Sequence, residues 1–172
     1  MRMNFSYQSL KDLEPGSTLN YEGHEVALKA RTLLGDFIFA ELGDEHEDLY
    51  VLADKNHKIP SLHFHVHPEL PLGSRADLLD CPWLFLDGDF ESENFARSIF
   101  NQIEKKNFTY KQMTEVRGDA RIESWDGEGE FPFAFAVYNC KDSLSSSYFI
   151  VCEYGDGFES QICCMIGDQL EA

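Results

Sequence analysis

Hydrophobic and polar positions alternate over much of this chain with the period of a β-strand. Across 24–31, Val26, Leu28 and Ala30 alternate with Ala27, Lys29 and Arg31, as on a half-buried strand. Glu22-Gly23 separates this segment from a shorter strand expected at 18–21. Apolar runs at 37–42, 49–53 and 62–66 follow, each bounded by a polar or Gly-Asp segment. Later runs fall at 120–125, 131–139, 147–154 and 158–166. Gly155-Asp156-Gly157 between the last two is the strongest hairpin signal in the chain.

One segment has the other period. From about 91 to 106, Phe95, Ile99 and Ile103 recur every fourth residue, beside Ala96 and Phe100. That stripe predicts an amphipathic helix facing a core. Glu91 and Glu93 lie at its positive end and Lys105 and Lys106 at its negative end, which suits the helix dipole. The expected class is α+β: mainly antiparallel sheet built from hairpins, with this one principal helix packed on it. The core is expected at Val26, Leu28, Phe39, Val51, Phe64, Trp83, Phe85, Phe95, Ile99, Ile103, Phe133, Phe135, Val137, Phe149, Val151, Ile162 and Met165.

The 172 residues suit a single compact domain over 1–172. Pro68 and Pro71 forbid regular structure between them, so a sub-domain break is expected near 68–73. The start of the chain has no secretory signal pattern, and its apolar runs are too short to span a bilayer. The five cysteines are odd in number, form no C-x-x-C and lie mostly in apolar stretches. These features predict free thiols in a reducing compartment and a cytoplasmic location.

Charge then narrows the function. The chain carries 31 acidic against 14 basic residues, a formal net charge of −17. Such a field repels nucleic acid and anionic membrane and attracts a basic partner. Because 13% of the residues are aromatic, the acidity belongs to a folded surface, not to a disordered tail. Three acidic clusters beside expected turns are the candidate partner-binding residues. They are Asp44, Glu45, Glu47 and Asp48; Asp126, Glu128 and Glu130; and Glu153, Asp156 and Glu159. A further acidic turn, Asp87 to Glu93, lacks the residue order of an EF-hand and reads as a helix start.

No phosphate-binding loop, dinucleotide fingerprint, nucleophile elbow or zincin motif occurs. No catalytic residue is assigned, and the balance is against an enzyme. The leading expectation is an acidic cytoplasmic module that neutralises a basic protein and needs no cofactor. By analogy of class, it would resemble an immunity protein or antitoxin that inhibits a toxin such as a nuclease. The alternative is a metal-dependent enzyme. On a strand, His63, His65 and His67 would share one face, while Leu62, Phe64 and Val66 occupy the other. Neighbouring imidazoles suit zinc or iron. The second alternative is a DNA mimic, which requires carboxylates spaced like phosphates along one elongated face.

Overall fold

The computed structural model describes residues 5–21, 23–43, 48–66, 72–74, 109–141, 146–155 and 160–170. Among the described residues, ten strands lie in chain order: β1 (Thr18–Tyr21), β2 (His24–Leu34), β3 (Phe37–Gly43), β4 (Asp48–Asp54), β5 (Leu62–Val66), β6 (Leu72–Ser74), β7 (Thr109–Ser124), β8 (Gly127–Lys141), β9 (Ser146–Tyr154) and β10 (Gln161–Gln169). A helix, α1 (Tyr7–Asp12), precedes them. Strands β1 to β5 pair in chain order and β2 also pairs β7, all antiparallel; β10 pairs β6 and β9, and β9 pairs β8.

The class is therefore β, which corrects the expected α+β. Strand dominates the described residues, and their one helix has six residues. The helix expected at about 91–106 lies outside the described residues, as do Trp83, Phe85, Phe95, Ile99 and Ile103. The other expected core positions are all buried, from Val26 at 8% exposed to Leu28, Val51 and Phe64 at 0%.

The chain forms two compact units. The first comprises Met1–His65, Asp119–Phe131 and Gln169–Ala172. In it, β1 to β4 form a meander. One face of this sheet carries Val26, Leu28, Ile38, Ala40, Leu42, Leu49, Val51 and Ala53, packed with Phe5, Tyr7 and Leu10. Helix α1 lies on that face. It is too short to be stable alone, and a reciprocal pair of side-chain bonds holds its start. The Ser6 hydroxyl accepts from the Ser9 N–H at 3.1 Å, and the Ser9 hydroxyl accepts from the Ser6 N–H at 2.9 Å.

A β-bulge decides what holds the other end of α1. Leu28 pairs Leu42, but Ala30 pairs Glu41 and Arg31 pairs Ala40. The extra residue shifts the alternation, because each inserted position moves the following side chains to the opposite face. Arg31 thus faces the same side as Leu28, toward α1. Its Nη1 donates to the carbonyls of Leu10 at 2.9 Å, Lys11 at 2.6 Å and Leu13, and its Nε donates to Glu123 at 2.7 Å. These carbonyls are the acceptors that a helix end leaves without intrahelical partners.

Asp54, 3% exposed, fixes the β4–β5 connection. Its carboxylate accepts from the backbone N–H groups of Asn56 at 2.9 Å, Lys58 at 2.8 Å and Ile59 at 3.3 Å. The loop turns through His57, whose φ is 56°.

The second unit comprises Val66–Gly118 and Pro132–Asp168. Its described sheet is β8, β9, β10 and β6, antiparallel throughout. Phe135, Ile150, Cys152 and Met165 on one face are buried, and so are Ala136, Tyr138, Val151 and Cys164 on the other. A sheet dry on both faces reads as near-continuous apolar sequence, as in Phe131 to Tyr138 and Tyr148 to Cys152.

Candidate functional site

The most exposed large apolar side chain of the described residues is Trp125, at 75%. It sits at the tip where β7 turns into β8, a connection of Trp125 and Asp126 alone. The segment 119–131 holds five acidic residues and one basic residue. Asp126, Glu128 and Glu130 are all exposed beside the tryptophan. The sequence predicts a turn over 126–130. The strand instead begins at Gly127, and the exposure of 127–130 explains the absence of an apolar alternation there.

Hydrogen bonds order this tip. The Ser124 hydroxyl donates to the Asp126 carboxylate and lies 3.1 Å from the Gly127 carbonyl. Arg121 donates to Glu128 at 2.5 Å and stands 3.3 Å from Glu123, which also receives Arg31. A chain of alternating charge therefore runs from the buried Arg31 out to the exposed Glu128. Gly16 meets the base of Trp125: a Cβ built on Gly16 would lie 3.5 Å from the Trp125 Cβ.

The other expected partner-binding residues are placed as follows. Asp48 is exposed and paired with Lys29. Glu41, opposite Tyr50 on β3, has its carboxyl pushed up by desolvation and then by Asp48, while Lys29 acts the other way. Glu153 belongs to no turn. It lies within β9, opposite Ala134 and Ile162, is 6% exposed and accepts from the buried Ser160 hydroxyl at 2.9 Å. Strand β9 ends at Tyr154, where the expected run 147–154 ends, and Glu153 lies inside with it. Asp44, Glu45, Glu47, Asp156 and Glu159 lie outside the described residues.

The expected histidine face is present for two of its three members. His63 and His65 project from the same side of β5, with ring centroids 5.7 Å apart. His63 is half-buried and shares a 2.8 Å hydrogen bond between its Nδ1 and the Tyr21 hydroxyl. His67 lies outside the described residues. Leu62 and Phe64 are buried on the opposite side, but Val66 is 45% exposed. Among the described residues, no group of three or more His, Cys, Asp or Glu is gathered to hold a metal ion.

Cys140, Cys152, Cys163 and Cys164 are free thiols. Burial pushes the Cys163 thiol up to about 11 and raises Cys152 as well. Such thiols are poor nucleophiles at neutral pH. No helix among the described residues is long and apolar enough to cross a membrane.

Compared with protein-family models, curated proteins and solved structures, the chain matches none. The expectation of an immunity protein or antitoxin has no support from these comparisons, and the α+β class attached to it is overturned by the strand content.

Proposed function

We propose that this protein is a cytoplasmic binding module for a basic protein, and that the β7–β8 tip is its contact point. One observation carries the reading: a tryptophan exposed at 75% is flanked by the exposed carboxylates Asp126, Glu128 and Glu130. An indole face attracts Lys and Arg side chains through cation–π contact. Tryptophan is also among the residues most enriched at binding hot spots. The surrounding carboxylates add attraction for the same cationic groups and steer their approach. The free thiols favour a reducing compartment.

The test is a comparative capture from host lysate at low salt, eluted with a salt gradient. The baits are the wild-type chain, Trp125→Ala and Asp48→Asn. The reading expects a basic protein retained by the wild type and by Asp48→Asn, with affinity for Trp125→Ala reduced ~30-fold or more, the hot-spot range. Equal retention by Trp125→Ala, or retention of acidic proteins only, contradicts it.

A further inference from the structure

The β9–β10 ladder sets two thiols directly across from each other. Cys152 pairs Cys163 in an unbroken antiparallel register. Residues opposite one another on neighbouring strands project from the same face. Cys140 and Cys164 project from the other face, with Tyr138 and Val151. The Cys152 thiol is raised by burial and then by the charge of Cys163, while a hydrogen bond with Tyr154 acts the other way.

The phase of the ladder fixes the spacing of the pair. The Gly155 N–H donates to the Pro132 carbonyl at 2.8 Å. Glu153 therefore turns its backbone groups toward β8, and Cys152 turns its own toward β10. That makes Cys152 and Cys163 a hydrogen-bonded pair, with Cα atoms ~5.5 Å apart. Disulfides form at Cα spacings of ~4.4–6.8 Å. The Cβ atoms of such a pair stand slightly wide of the disulfide spacing, so the cross-link holds some strain. Strained disulfides are the readily reduced, regulatory ones.

Access differs between the two thiols. Cys152 is fully buried, whereas Cys163 is only partly so. A small oxidant thus meets Cys163 first. Burial pushes that thiol up to about 11, which makes the first step slow at neutral pH. The second step is intramolecular and needs no access from solvent.

We propose that Cys152 and Cys163 form a reversible disulfide site that exchanges with low-molecular-weight disulfides of the glutathione type. The Cys163 thiolate attacks one sulfur of the small disulfide, forming a mixed disulfide and expelling one thiolate. The Cys152 thiolate then attacks the Cys163 sulfur, closing the cross-link and expelling the second. Two protein thiols give up two protons and two electrons, and the small disulfide takes them up as two thiols. The link ties β9 to β10 within the second unit and is independent of the basic partner.

The experiment incubates the reduced full-length chain with oxidised glutathione at pH 8 in the absence of oxygen. Acid quenching, non-reducing digestion and mass spectrometry then map the products. The expected product is a Cys152–Cys163 link in about tenfold excess or more over any other pairing, because these residues already face each other at disulfide spacing. Reduced glutathione should remove it, and denaturant should abolish the preference. Cys152→Ser should instead keep one glutathionyl group on Cys163, and Cys163→Ser should form neither product. Circular dichroism verifies that each variant keeps its sheet. A native chain that forms no such link under conditions that fully oxidise the denatured chain overturns the proposal. So does a link made chiefly to Cys81 or Cys164, or a folded Cys152→Ser that carries no adduct on Cys163.

Discussion

Removing the Arg31 guanidinium should unfasten α1 from the first unit. Arg31→Met keeps the aliphatic stem and deletes the charged head. Three carbonyls at the end of α1 then lose their donor, and Glu123 loses its 2.7 Å partner. The side chains of Arg31 and Glu123 are 11% and 16% exposed, so water screens the pair little. Breaking such a pair from one side costs about 3–5 kcal/mol. Glu123 keeps Arg121 at 3.3 Å as a second cation, which places the expected cost at the lower end, about 3 kcal/mol. For a chain of this size that is a fall in Tm of about 6–12 °C. Arg31→Lys should recover only part of the loss, because one ammonium cannot serve both Glu123 and the helix end as the planar fork does. Thermal unfolding followed by circular dichroism reads both values, and hydrogen exchange should lose protection first at Leu10. A Tm within 2 °C of wild type for Arg31→Met would refute the claim that this cation fastens the helix.

Three further outcomes follow from the same structure. Asp54→Ala leaves three backbone N–H groups of the β4–β5 loop without their acceptor; a loss of about 2–3 kcal/mol is expected in urea unfolding, and an unchanged midpoint would show that the loop holds itself. Glu41 has a carboxyl raised in the folded state, so the folded chain binds more protons than the unfolded one, and stability falls as pH rises through the interval above its ordinary value. Glu41→Gln should remove that slope, stabilising the protein at pH 7 but not below the ordinary carboxylate range; parallel pH profiles for the two proteins would contradict this. Burial holds the Cys163 thiol near 11, so its alkylation by iodoacetamide at pH 8, mapped by mass spectrometry, should be slow and become fast in denaturant; rapid labelling of the native protein is the opposing result.

Strands were legible where one face is dry and the other wet. Residues 24–31, 37–42 and 49–53 show this, and their bounds differ from the structure by only a few positions. The hairpin tip was less legible. Gly127, Gly129 and three carboxylates read as a turn, because a strand exposed on both faces has no alternation to detect. Helix α1 leaves no signal in the sequence for a different reason. Six residues give less than two turns of periodicity, and its capping pair is Ser6 with Ser9 in place of the usual acidic partner. The alternation of the sequence puts Arg31 on the polar side of a regular strand, and only the bulge between Leu28 and Ala30 turns it toward the helix. Nothing local in the sequence marks that bulge. At the candidate site, the acidity of 126–130 was visible, whereas the isolation of Trp125 depends on how short the β7–β8 turn is. Glu153 illustrates the converse: a carboxylate near an expected turn proved to be buried, with Ser160 as its partner.

The central claim is tested most directly by stopped-flow association of the chain with the basic protein it captures, measured from 50 to 500 mM salt on wild type and Trp125→Ala. An acidic tip that steers its partner predicts a rate for the wild type that falls steeply with ionic strength, and a complex of Trp125→Ala that forms at a similar rate but dissociates faster. An association rate indifferent to salt, with dissociation unchanged by Trp125→Ala, would contradict it.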